Sequence, residues 1–244
     1  MRFGDGRSGR LYAAVLLAIG LTGGCAVLPD IVATSVPVAP AAPTGDAATA
    51  LAALPVKGRA PKTGYSREEF GQRWADVDRN GCDQRNDVLA RDLKDETFRP
   101  GPRECVVLTG TLDDPYTGRT IPFRRGQETS DDVQIDHVVA LSNAWQTGAQ
   151  QLDAGTRRLL GNDPLNLLAV DGPTNQAKSD GDAATWLPPA RGYRCAYVSR
   201  QVAVKAKYRL WVTAAERDAI ARILDGCPGE PLPSDSTVPA PAAA

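Results

Sequence analysis

Three pieces of the chain decide the fold: Val133-Gln134-Ile135-Asp136-His137-Val138-Val139, Asn162-Asp163-Pro164-Leu165-Asn166-Leu167-Leu168-Ala169-Val170 and Asp171-Gly172-Pro173-Thr174-Asn175-Gln176-Ala177-Lys178. β-Branched and apolar residues dominate the first two, so strands are expected over Val133 to Val139 and Leu165 to Val170. Asp171-Gly172-Pro173 is a turn whose proline suits a first helical turn, so a short helix should follow. On that helix Asn175 and Lys178 share a face. The order is thus a strand with Asp-His, a strand with Asn-Leu, and a helix with Asn and Lys.

Those residue types suit phosphodiester hydrolysis. The reaction needs a water deprotonated near neutral pH, for which imidazole is the suited side chain, and His137 is the chain's sole histidine. It needs a hard cation held by oxygens, which Asp136 and Asn175 can offer. It needs a partner that fixes the imidazole tautomer, for which Asn166 is the candidate, and Lys178 can meet a phosphate. Each piece alone has a plainer reading: a core histidine, a turn-capping Asn166, a solvated Asn175. One geometric condition applies. Neighbours in a regular strand point to opposite faces, so Asp136 and His137 converge on one ion only if the strand ends or bends there.

The pattern Asp-His, central Asn-Leu, then Asn-x-x-Lys resembles the HNH endonucleases. More narrowly, Ile135 through Trp186 resembles the exported HNH-family proteins related to the C-terminal domain of GmrSD-type restriction enzymes. Gly81-Cys82-Asp83-Gln84-Arg85-Asn86-Asp87 and Val204-Lys205-Ala206-Lys207-Tyr208 carry the same likeness, which spans roughly residues 65 to 225. The resemblance implies an α+β fold, a ββα-metal core with surrounding helices and an additional β-hairpin. It implies His137 as general base, Asn166 holding its ring, Asp136 and Asn175 as metal ligands, and Lys178 as a phosphate contact. Many HNH fingers end in a second His. Asn175 in that place suggests one Mg²⁺, or Mn²⁺, rather than a tightly held transition metal. The implied activity is endonucleolytic cleavage of DNA, with RNA open, at low sequence preference, leaving 5′-phosphate and 3′-hydroxyl ends. A catalytically idle surface protein and a small-molecule phosphodiesterase are the alternatives. A monomer is expected.

Outward from this centre, Ser66-Arg67-Glu68-Glu69 reads as a capping box opening a helix through Trp74. Asp83 to Leu93 reads as a helix with Val88, Leu89 and Leu93 on one stripe. Cys105 to Leu112, the turn Asp113-Asp114-Pro115-Tyr116-Thr117-Gly118 and Thr120-Ile121-Pro122-Phe123 read as a hairpin. Helical turns are expected within Leu141 to Leu160, with Trp145 and Leu152 in the core. Two helices, Ala196 to Trp211 and Ala214 to Leu224 after the capping box Thr213-Ala-Ala-Glu216, should close the domain.

The ends differ in kind. Basic residues Arg2, Arg7 and Arg10, an apolar run Leu11 to Leu21 and a small-residue exit make residues 1–24 a secretory signal, with Cys25 a candidate lipidated residue and simple release the alternative. Membrane contact is expected only through that anchor. Residues 25–63, rich in Pro, Ala and Thr, read as a flexible linker, and 228–244 as a similar disordered tail, leaving a nuclease domain over 64–227. Cys82, Cys105, Cys195 and Cys227 suggest two disulfides in an exported chain; the pairs closer along the chain, Cys82–Cys105 and Cys195–Cys227, are favoured. A zinc site lacks any Cys-x-x-Cys spacing. Net charge is −1, not the overall signature of a nucleic-acid binder. However, Ala183 to Ala215 carries no acid, and Arg200, Lys205 and Lys207 there are candidate phosphate contacts; a solvated basic helix is the alternative.

Overall fold

The computed structural model describes residues 46–234. The signal 1–24, Cys25, the first part of the expected linker and residues 235–244 lie outside them. In chain order the elements are α1 (Ala47–Ala53), α2 (Gln84–Asp92), β1 (Leu93–Phe98), β2 (Val107–Asp113), β3 (Thr120–Arg124), β4 (Val133–His137), α3 (Leu141–Gln146), α4 (Ala154–Gly161), β5 (Leu167–Asp171), α5 (Gly172–Lys178), α6 (Arg194–Lys207) and α7 (Ala214–Leu224), with a 3-10 turn at Arg67–Phe70. The fold is α+β. β1-β2-β3 form one antiparallel sheet and β4-β5 a second. Among the described residues, no helix is long and apolar enough to cross a membrane.

The β4–β5 ribbon sits between two cores, and its two-residue period explains why. Val133 and Ile135 join Leu167 and Ala169 in a small core with Val88, Leu89, Leu112 and Phe123. Leu168 and Val170 face the larger core of Trp145, Tyr116, Tyr197, Val202 and Ile220. The register pairs Val133 with Asp171 and His137 with Leu167. β5 runs straight into α5, a transition only glycine permits: a Cβ on Gly172 would stand 2.0 Å from the Asp131 carbonyl oxygen. Asp171 caps α5 by accepting from Thr174 N–H, and Pro173 fills its first turn.

The structure departs from the sequence expectations in three places. Residues 46–63 are not a free linker. Ala47 and Leu51 of α1 and Leu54 are buried in the larger core, and the following segment is pinned by Lys57 N–H to Val212 O and Ala60 N–H to Gln146 O. The composition is tether-like, but alanine favours helix, and the leucines bury enough surface, about 1.5–3 kcal/mol each, to hold it down. Likewise Leu232 of the expected tail is buried, and Glu230 O accepts from Ala47 N–H. Third, Ser66 makes no side-chain cap bond, and the turn at Arg67–Phe70 ends at Gly71 rather than continuing to Trp74.

Two further expectations are met. Thr213 and Glu216 form both bonds of the capping box on α7. The disulfides are Cys82–Cys105 and Cys195–Cys227, with Cα–Cα distances of 5.4 and 6.1 Å.

Candidate active site

His137 ends β4 and is 7% exposed. Nε2 lies 2.8 Å from the Gly161 carbonyl oxygen at the end of α4. A carbonyl only accepts, so Nε2 carries the proton and Nδ1 keeps its lone pair. The ring stacks on Trp74, centroids 6.2 Å apart. Burial pushes its pKa down to about 3; the Gly161 bond opposes this, and the Arg67, Lys178 and Arg73 charges add to the drop. The resting ring is therefore neutral.

Asn166 does not hold that ring, contrary to expectation. Its Oδ1 accepts from Val139 N–H at 2.8 Å, and its Nδ2 reaches the Val139 and Leu160 carbonyls. Its backbone oxygen accepts from Val138 N–H. Asn166 thus staples the chain leaving β4, and Gly161 does the orienting.

Asp136 points to the other side of the strand, as the pleat requires. Its Oδ2 accepts from Tyr116 Oη at 2.5 Å and its Oδ1 from Lys178 Nζ at 2.9 Å. Burial, then the Asp136 charge, hold the Tyr116 hydroxyl well above its ordinary pKa, so it stays a donor. Lys178 is wholly buried, its second bond being to the His137 carbonyl at 2.8 Å. As a phosphate contact it is excluded here by burial. Asn175 is partly exposed and donates Nδ2 to Gln134 Oε1 at 2.9 Å.

The basic run behaves in the same way. Lys205 is wholly buried against Glu216, and Lys207 pairs with Asp163 at 2.9 Å. Arg200 donates to the Leu165, Pro164 and Leu167 carbonyls. These cations fasten the interior rather than line a phosphate face. Their α6 positions alternate with apolar ones so closely that sequence shows a basic helix and hides its burial.

Two clefts meet at His137. One, of about 520 Å³, is lined by Lys62, Arg67, Gln134, Asp136, His137, Asn175 and Asp180 among others. The second, about 380 Å³, is lined by Arg67, Arg73, Trp74, His137, Gly161 and Asn162 among others. Arg67 borders both and is exposed; Arg73 lies over Trp74 at 5.0 Å. Asp136 and His137 thus share a cleft while their polar atoms have different partners. Lys62, Arg67, Arg73 and Trp74 do not stand out in the sequence as site residues, because they lie far upstream and Arg67 reads there only as part of a helix cap.

The donor set suits a hard cation. Asp136 accepts one bond per oxygen, so each oxygen retains a lone-pair direction. Asn175 gives its nitrogen to Gln134, and its side chain lines the same cleft. A carboxylate and an amide lining one open cleft are donor types that Mg²⁺ takes, together with waters and substrate phosphate. Among the described residues, no three His, Cys, Asp or Glu side chains are gathered as a protein-only metal cage.

Residues 83–223 match the family model described as GmrSD restriction endonucleases, C-terminal domain. An uncharacterized secreted protein of Arthroderma benhamiae is 36% identical over 195 residues, which cover 79% of this chain and 90% of that protein. No solved structure matches. The chain belongs to the family of GmrSD restriction endonuclease C-terminal domains.

Proposed function

We propose that this protein is an exported endonuclease of the HNH type, hydrolysing DNA, and RNA as a second substrate, with little sequence preference and with His137 as general base. The observation that carries the reading is the Nε2 bond to Gly161, which leaves the Nδ1 lone pair free on a histidine that lines a cleft bordered by cations. Family membership and the β4–β5–α5 order support it.

In this mechanism a phosphodiester enters the larger cleft and Arg67 and Lys62 neutralise its charge. His137 Nδ1 takes the proton of the attacking water. The low resting pKa keeps the ring deprotonated beforehand, and the incoming phosphate anion raises its proton affinity at the step where it is needed. Gly161 keeps the ring from turning, and Asn166 keeps the chain beyond His137 in place. A divalent cation, Mg²⁺ or Mn²⁺, would be held by Asp136 and Asn175 and would stabilise charge on the phosphorane and leaving oxygen.

Export is supported by the leader-like residues 1–24, the two disulfides and the secreted relative. Anchoring through a lipid on Cys25 is the membrane-bound form of this proposal. The pairing of Lys178 with Asp136 favours one second reading, an idle scaffold in which Lys178 replaces the cation. Incubating the protein with plasmid, with RNA and with a small phosphodiester, each with and without EDTA, separates them. Metal-dependent nicking supports the nuclease. Cleavage of the small diester alone supports a phosphodiesterase, and no cleavage of any substrate supports the idle scaffold.

A further inference from the structure

Between the 3-10 turn and α2 the chain reads Asp76-Val77-Asp78-Arg79-Asn80-Gly81-Cys82-Asp83-Gln84-Arg85-Asn86-Asp87. Asp, Asp and Asn fall at the first, third and fifth places, glycine at the sixth and a carboxylate at the twelfth. This is the spacing of an EF-hand calcium loop, in which the seventh residue offers its carbonyl; the twelfth place holds Asp instead of Glu. The backbone agrees. Gly81 has φ +91° and donates its N–H to Asp76 Oδ2 at 2.9 Å.

Spacing and loop shape alone do not call for an ion, but buried oxygens without partners do. Gln84, at the ninth place, is fully buried. Its Nε2 lies 3.3 Å from Asp87 Oδ2, while its Oε1 has no hydrogen-bond partner. Asp76 Oδ1 is equally shielded and equally unpartnered. Asp87 itself is 5% exposed. The loop's own Arg85 does not neutralise these acids, because its guanidinium turns to the Ser130 and Val133 carbonyls. Asp76 and Asp87 each accept one loop donor, but Asp76 Oδ1 and Gln84 Oε1 stay buried and unpartnered, and such oxygens are what a cation satisfies.

We propose that residues 76–87 bind one calcium-class divalent cation through the side chains of Asp76, Asp78, Asn80 and Asp87 and the Cys82 carbonyl, with Gln84 at the ninth place. Among the described residues, no three His, Cys, Asp or Glu side chains stand gathered as a ready cage. Amide and carbonyl oxygens would complete the set, and binding would draw the carboxylates together. The site is separate from the cleft of Asp136 and Asn175 and does not depend on the nuclease reading. Its position gives it a structural role. Cys82 is disulfide-bonded to Cys105, Ala75 N–H is held by Asn162 Oδ1 at 2.8 Å, and Trp74 stacks on His137. A bound ion stiffens one wall of the His137 clefts.

The test is calorimetric titration of EDTA-stripped full-length protein with CaCl₂, beside the double variant Asp76→Asn/Asp78→Asn and the cleft variant Asn175→Ala. The expected result is one equivalent bound with Kd on the order of 10⁻⁴–10⁻³ M, the range of extracellular calcium modules. The double variant should weaken it at least about tenfold, since affinity follows ligand charge, and Asn175→Ala should leave it unchanged. Absence of binding, binding untouched by the double variant, or binding lost in Asn175→Ala overturns the proposal. Should the double variant fail to fold, terbium luminescence of the unmutated loop decides. Emission sensitised through Trp74, displaced by calcium and dimmed in Trp74→Phe, supports the site; no sensitised emission overturns it.

Discussion

Lys178 Nζ lies 2.9 Å from Asp136 Oδ1 with the ammonium fully buried and the carboxylate side chain 6% exposed. Removing one member of a buried pair strands the other charge, which costs about 3–5 kcal/mol. Lys178→Ala should therefore lower unfolding free energy by about that much, read from urea denaturation. Had Lys178 been a surface phosphate contact, the change would stay within about 0.5 kcal/mol.

The cations divide into two groups with opposite signatures. Arg67→Ala and Arg73→Ala should weaken nucleic-acid binding and flatten its salt dependence by about 0.9 for each phosphate no longer neutralised, with little change in stability. Lys205→Ala, which strands the wholly buried Glu216, should instead destabilise by about 3–5 kcal/mol. Per folded molecule, it should leave the salt slope intact. Binding isotherms at several salt concentrations, alongside melts, distinguish the two groups.

His137 is the sole histidine, so one imidazole resonance reports it without overlap. Its pKa falls from an ordinary 6.5 to about 3 on folding, chiefly by burial. Between those values the unfolded chain binds the extra proton. This group's contribution to stability is thus complete above pH 6.5 and is lost as pH falls toward 3. In EDTA-treated protein the resonance should not titrate between about pH 8 and 5, the interval that brackets an unperturbed histidine. A midpoint near 6.5 would contradict the buried, Gly161-bound ring.

Gly172→Ala should destabilise markedly, because its Cβ would stand 2.0 Å from the Asp131 carbonyl oxygen. Relief requires moving backbone at the β5–α5 junction, so Asn175 and Lys178 would shift as well. Thermal melts check the stability loss. A variant as stable as the parent would mean the junction is looser than it stands.

The ribbon and helix at the centre are legible in the sequence because their periodicity is local: Val133 and Ile135 alternate with polar Gln134, and proline marks the start of α5. The α7 capping box is legible for the same reason. β1 is not, since Lys94-Asp95-Glu96 carries no apolar alternation and lies on a sheet edge. α1 is hidden by its proline- and alanine-rich surroundings. In the site, His137 and Asp136 stand out by residue type, but burial is a tertiary property. Nothing in the spelling of Lys178, Lys205 or Lys207 tells an interior ammonium from a phosphate-seeking one. Gly161 takes the orienting role expected of Asn166, because a backbone carbonyl leaves no mark in sequence. The loop from Asp76 to Asp87 is fully spelled out, yet only its second half carries the family likeness.

The base nitrogen of the proposed reaction is His137 Nδ1. The measurement that tests this most directly is the single-turnover nicking rate of plasmid in Mg²⁺ by His137→Ala against the unmutated protein, with folding of both verified by circular dichroism. The expected result is a loss of about 10²–10⁴-fold, the usual contribution of a positioned general base. A variant that nicks as fast as the parent would contradict it.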